Sequence, residues 1–123
     1  MSTFGTVVGA RSDEGREEFR KYHMAAISIP SPALSEIEVI SKELDIFLVI
    51  GVIEKDGSSL YCTVIFVDPV EGYLCKHRKL MPTAHEKIIW GMGDGSTLPV
   101  LDKSFKVDSS ENTVAKISAT ICW

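Results

Sequence analysis

The chain has 123 residues, 45% of them hydrophobic and 24% charged, with a net charge of −4. That length holds at most one domain, and mild acidity without a clustered basic face excludes nucleic acid and an anionic membrane surface as evident partners. The longest apolar run, Ile46 to Ile53, falls far short of the ~20 residues of a membrane-spanning helix.

Residues 1–12 have little pattern and read as a loop, with no positive n-region or long apolar stretch to suggest a signal peptide. A helix is expected from Asp13, capped by Ser12, with Phe19, Tyr22, His23 and Ala26 on one face and a solvated, charged remainder. Pro30 and Pro32 break the chain into an extended connector. A second helix follows over Ala33 to Leu44, with Leu34, Ile37, Ile40 and Leu44 as its apolar stripe.

Ile46 to Ile53 then reads as a strand buried on both faces. Asp56-Gly57 signals a hairpin turn into Ser59 to Val67, and Asp68-Pro69 with Glu71-Gly72 makes another turn into a third strand from Tyr73 to His77 or beyond. Leu98 to Leu101 and Val114 to Ile121 are further strand candidates, separated by a polar stretch, Asp102 to Thr113, that reads as a surface loop. Helices followed by a sheet with both faces covered predict an α/β layered domain.

The residues that could carry chemistry lie late in the chain. Cys122 follows the last strand candidate, where a nucleophile would sit on a rigid element, although composition alone favours a buried core cysteine. A thiol attacks as thiolate and needs a nearby cation. Lys79 is either a solvated basic strand end or an ammonium pointing into a pocket, where it would pair with a carboxylate such as Glu86. Glu86 could instead pair on the surface with Lys87 or Arg78. Strand alternation places Arg78 opposite Lys79 and His77, and Pro82 ends the strand.

His77 and His85 form no recognisable zinc or protease signature. Gly91-Met-Gly-Asp-Gly-Ser96 lacks the ending of a phosphate loop and reads as a tight loop whose glycines allow unusual backbone angles, anchored by Trp90. Cys62 and Cys75 alternate with apolar neighbours and read as core. Three cysteines without Cys-x-x-Cys spacing predict neither a disulfide framework nor a zinc site and fit a cytoplasmic setting.

The blocks Glu17 to His23, Gly51 to Lys55, Leu60 to Val64, Lys76 to Ser96 and Ile121-Cys-Trp123 together resemble the plant-type nitrilases of the carbon–nitrogen hydrolase superfamily, in the same order. The Ile88-Ile-Trp-Gly91 segment resembles most the branch that acts on 3-cyanoalanine. The resemblance runs from about Phe4 to Trp123, apart from Lys103 to Thr113, which looks inserted.

It implies a partial αββα sandwich truncated at both ends, lacking an upstream general-base glutamate block and everything after Cys-Trp. It implies homo-oligomers of the full-length protein, a small-molecule nitrile substrate, and no metal or organic cofactor. It also implies roles: Cys122 as nucleophile, Lys79 as the cation that stabilises the anionic intermediate, and Glu86 as the carboxylate that supports the lysine. Cys75 and Ser118 stand where the family usually has glycine, and an insertion before Cys122 would put the register of its strand in question. The chain alone is expected to be inactive for want of its base. The alternative is a non-catalytic product that at most associates with intact subunits.

Overall fold

The computed structural model describes residues 8–108 and 111–122, so the expectations for residues 1–7 and for Trp123 lie outside the described residues. Helix α1 spans Asp13–Ala25 and helix α2 spans Pro32–Leu44. Strands β1 (Leu48–Asp56), β2 (Ser59–Asp68) and β3 (Gly72–Arg78) form one antiparallel sheet in the order β1-β2-β3. Strands β4 (Leu101–Asp108) and β5 (Glu111–Ile117) pair as a separate antiparallel ribbon.

Each helix starts where its cap places it. The Gly15 amide donates to Ser12 Oγ at 3.1 Å, and the Leu34 amide to Ser31 Oγ at 3.3 Å, each satisfying a first-turn donor that the helix cannot. Pro32 occupies the first turn of α2, where its missing N–H costs nothing. Asp45 ends α2 in the left-handed region, φ 52°, and its amide returns to Ser41 and Lys42 carbonyls. The α1 charges pair along the exposed surface, Arg20 with Glu17 and Lys21 with Glu18, as a solvated face should.

The two helices serve opposite faces of the three-stranded sheet. Leu34 of α2 packs with Ile65 and Val67, joined by Ile37, Leu48, Ile50, Val52 and Tyr73. On the other face, Phe19 and Tyr22 of α1 join Leu60, Ile53, Cys62, Ile89 and Trp90. β2 is central, and both its faces are covered, as its composition predicts; Ile65, Phe66 and Val67 are fully buried. The β1–β2 turn closes with Asp56 opposite Ser59 and Gly57 at φ +59°, a conformation that favours glycine. The β2–β3 turn is held by Asp68 Oδ1, which accepts from the Val70 and Glu71 amides at 2.8 and 3.0 Å.

Four expectations are corrected. The lower half of the α2 stripe is not core: Ile40 and Leu44 are 48% and 62% exposed, and the side of the helix turned to the sheet runs instead through Leu34, Ile37 and the fully buried Ser41. β1 is not covered on both faces, since Val49 is 45% exposed; it is an edge strand, bridged on its outer side by Ile27, which pairs with it beside Glu54. Of the polar stretch 102–113, residues 102–108 and 111–113 are not a surface loop but paired strands of the β4–β5 ribbon, and residues 109–110 lie outside the described residues. Polar side chains on solvent-facing strand positions make such a ribbon resemble a loop in hydropathy alone. The final strand ends at Ile117, so Cys122 lies on an irregular segment beyond it and not at a strand end.

Among the described residues, an ion pair and an aromatic contact dock the ribbon against the sheet and the residue before β1. Lys103 of β4 forms an ion pair with the buried Asp68 carboxylate at the end of β2. Phe105 meets Phe47 edge-on at 6.3 Å between ring centres.

Candidate active site

Lys79 follows the last residue of β3 and continues its ladder: its amide donates to the Cys62 carbonyl at 2.8 Å. Strand alternation then sends the side chains of Arg78 and Lys79 to opposite sides. The Lys79 ammonium is buried, 4% exposed, and lies 2.6 Å from Glu86 Oε2. The Thr83 amide donates to the same oxygen at 2.6 Å. Of the two sequence readings of Lys79, the buried ammonium paired with Glu86 is the observed one, and Glu86 pairs with neither Lys87 nor Arg78 among the described contacts.

Glu86 stands on a short 3₁₀ turn, Ala84–Ile88, whose first residue holds φ +47°. A non-glycine residue in that region is strained, and the turn is closed by Glu86 reaching back to Thr83. Burial alone would raise the Glu86 pKa, but the Lys79 hydrogen bond, the Thr83 amide and the Lys79 charge together hold it below the usual carboxylate value.

Behind Lys79 sits Trp90, 4% exposed, with the ammonium 5.9 Å from its ring centre. The Trp90 indole N–H donates to the Tyr22 hydroxyl at 3.0 Å, tying this wall to α1. Burial pushes the Tyr22 phenol up to about 12. Trp90 thus anchors the loop after it, as the sequence predicts. The glycines of that loop are not there for unusual angles, which corrects the expectation, for none of Gly91, Gly93 and Gly95 has positive φ. They permit close approach. A Cβ on Gly91 would lie 2.7 Å from the Tyr61 ring, and one on Gly93 would lie 2.6 Å from the Arg78 carbonyl oxygen.

These elements border a cleft of about 900 Å³. Its walls include Gly51, Val52 and Ile53 of β1, Cys62, Thr63 and Val64 of β2, then Lys79, Glu86 and Trp90. The segment Ala119 to Cys122 closes one side, so Cys122, Lys79 and Glu86 all line one cavity although they are spread over more than forty positions. The ribbon β4–β5 makes this possible: it leaves the sheet beyond Thr97 and returns the chain to the cleft after Ile117.

Cys62, half-buried, packs against the core beside Leu60 and Trp90, as its apolar neighbours predict, and it also lines the cleft. Burial pushes its thiol pKa up, against the pull of the Lys79 charge. The pairing of Thr63 with Arg78 puts the preceding residue, Cys62, beside Lys79. Cys75 is half-buried on β3. His77 is buried, its Nδ1 2.9 Å from the Thr97 carbonyl, and His85 is exposed. Among the described residues no group of three or more His, Cys, Asp or Glu side chains is placed to hold a metal ion. No helix among them is long and apolar enough to cross a membrane.

A family model described as carbon-nitrogen hydrolase matches residues 2–123. The chain is 62% identical to an arylacetonitrilase of Trametes versicolor (strain FP-101664), over all of this chain and 39% of that protein. It is 51% identical to a bifunctional nitrilase/nitrile hydratase of Nicotiana tabacum, over 99% of this chain and 32% of that protein. It is 48% identical to nitrilase 1 of Arabidopsis thaliana, over 98% of this chain and 32% of that protein. The chain therefore spans between 32% and 39% of the length of these curated relatives. Its fold is similar to the crystal structure of an N-terminal amidase, with a TM-score of 0.63 and 21% identity, over 84% of this chain and 27% of that one.

Proposed function

From the premise that this chain belongs to the carbon–nitrogen hydrolase family, we propose that it carries the nucleophile and the charged pair of a nitrile-hydrolysing site. The observation that supports this reading is the shared cleft of Cys122, Lys79 and Glu86, with the ammonium buried and paired. In this reading the Cys122 thiolate adds to the nitrile carbon and gives a thioimidate. Lys79 stabilises the nitrogen anion as it develops and supplies its proton, while Glu86 keeps the ammonium charged and aimed. Water adds to the thioimidate, ammonia leaves, and a second water releases the carboxylic acid from the thioester. Expulsion of the thiol from the tetrahedral intermediate gives the amide instead. The chemistry requires no metal or organic cofactor.

Glu86 is the single carboxylate among the described residues that line the cleft, and it is committed to Lys79 and Thr83. A base for the attacking water must therefore come from elsewhere, and the 123-residue chain by itself is expected to form the covalent adduct without sustained turnover. General-base contributions are on the order of 10²–10⁴-fold.

For substrate we favour an arylacetonitrile over 3-cyanoalanine. The relative at 62% identity is named for that class, and Val52, Ile53, Val64 and Trp90 give the cleft an apolar wall suited to an aryl group. Association of copies and a cytoplasmic setting belong to the same reading. The exposed Val39, Ile40 and Leu44 of α2 are consistent with a surface that another segment or copy covers.

The test is to expose the purified chain to phenylacetonitrile and to 3-cyanoalanine, recording intact mass and ammonia release. The expected result is an adduct on Cys122 that forms more readily with phenylacetonitrile and disappears in Cys122→Ala. Ammonia release that persists in Cys122→Ala, or a Cys122 that alkylates with iodoacetamide but never reacts with either nitrile, overturns the assignment.

A further inference from the structure

On the side of the sheet away from Lys79 lies a buried ionic network that the proposed chemistry does not touch. Glu54 of β1 is 1% exposed, deeper than any other glutamate among the described residues. It accepts from Thr63 Oγ1 at 2.9 Å and from Arg78 Nε at 2.9 Å, and it pairs with the Lys76 ammonium. Arg78 also reaches Asp56 at 2.8 Å and stacks over the Tyr61 ring, 3.8 Å from its centre. Tyr61 stands opposite Glu54 in the β1–β2 pair, and Thr63 stands opposite Arg78 in the β2–β3 pair. The network therefore crosses the whole sheet, from β3 over β2 to β1.

Buried ion pairs are a weak source of stability, because desolvation offsets most of the attraction, but they can specify register. Hydrophobic burial does not set the register at this end of β3. The run Lys76-His77-Arg78-Lys79 carries cations on both faces, so burial of apolar side chains cannot decide which face is which. A one-residue slip would turn Arg78 toward the cleft and Lys79 away from it. Glu54 accommodates two cations spaced two apart on one strand, and Lys76 with Arg78 is the pair that leaves Lys79 on the other side. The loop after Trp90 then closes over the result: the Gly93 amide donates to the Lys79 carbonyl at 2.9 Å, and Gly91 packs against Tyr61, the ring beneath Arg78.

We propose that Glu54 is a positioning residue for the cleft, which holds Lys76 and Arg78 on the reverse face and so selects Lys79 as the cation presented to Glu86 and the substrate. Its role as a positioner for catalysis rests on the nitrile-hydrolysing reading; its effect on Lys79 does not. Burial opposes ionisation of Glu54, but its bonds from Arg78, Lys76 and Thr63 keep it charged down to a pKa of about 2.

The experiment uses the whole chain without substrate. Lysine ammonium signals are recorded by NMR on the ¹⁵N-labelled protein, with the Lys79 signal assigned by its loss in Lys79→Arg. In the native chain the buried, paired Lys79 ammonium is expected to exchange its protons slowly. In Glu54→Gln, of nearly the same shape but without the charge, exchange at Lys79 should accelerate by about tenfold or more while the β4–β5 amides stay unchanged. If Glu54→Gln does not fold, Arg78→Lys, which retains the charge but loses the two-pronged bond and the Tyr61 stack, carries the same expectation. Lys79 exchange within about twofold of native in a folded variant, whatever its melting temperature, overturns the proposal. Because no turnover is read, failure here leaves the nitrile assignment standing, and an inactive chain leaves this test intact.

Discussion

Thr83 and Lys79 share one acceptor: the Glu86 Oε2 atom takes a hydrogen bond from the Thr83 amide and one from the Lys79 ammonium, each at 2.6 Å. The backbone of the turn and the cation of the cleft are thus set by a single carboxylate. Lys79→Met should leave that carboxylate half-buried with its amide partner alone. The expected loss is about 1–3 kcal/mol in a urea titration at neutral pH. Glu86→Gln should cost less, because the amide oxygen still accepts from Thr83, and it should speed proton exchange at Lys79.

Acid sensitivity should track Glu54. Its folded pKa of about 2 lies below its ordinary value of 4.5, so its contribution is complete above that value and is lost as pH falls through 2. The difference corresponds to about 3 kcal/mol. Glu86 and Asp68 are shifted in the same direction and add to the same limb. A stability profile from pH 7 downward should therefore decline below about 4.5 and flatten in Glu54→Gln.

The ribbon that brings Cys122 to the cleft depends on Lys103. Its partner Asp68 is fully buried, so Lys103→Met leaves that carboxylate at the end of β2 with the Val70 and Glu71 amides but no counter-charge. We expect a loss of about 2–3 kcal/mol and faster amide exchange along β4, with β2 little affected. Slower alkylation of Cys122 is not expected; an unmoored segment should expose it further.

Gly93→Ala tests the closing loop. The added methyl would meet two backbone oxygens, those of Arg78 and Lys79, at 2.6 and 2.8 Å, and neither can rotate away. The Gly93–Lys79 hydrogen bond should break, at a cost of about 1–3 kcal/mol. Gly95→Ala is the control, because its nearest neighbour is a flexible Leu98 methyl 4.0 Å away, and it should be nearly neutral.

Much of this architecture can be read along the chain. Ser12 before an acidic first turn and Asp56-Gly57 between apolar runs mark a helix start and a hairpin that the structure reproduces within a residue or two, whereas Pro32, expected to break the chain, instead opens α2 behind Ser31. Each signal is local: a side chain satisfies a nearby amide, or a glycine supplies a turn. Lys79 and Glu86 were legible as a pair because they lie seven positions apart on either side of a turn.

Non-local features were hidden. The stretch 102–113 looked like a loop because its residues are polar, yet its strands find each other and then the sheet through Lys103 and Phe105, whose partners Asp68 and Phe47 lie at least 35 positions away. Cys62 is core, as its neighbours predict, and only the pairing of β2 with β3 also puts it beside Lys79. Local chemistry alone therefore determined the Ser12 cap, the turns and the central strand, while the roles expected of Cys122, Lys79 and Glu86 came from the family resemblance. The tertiary structure decided which cation faces the cleft, and how Cys122 returns to it. Both outcomes depend on partners distant in sequence, Glu54 for β3 and Asp68 for the ribbon, which meet only when three strands align.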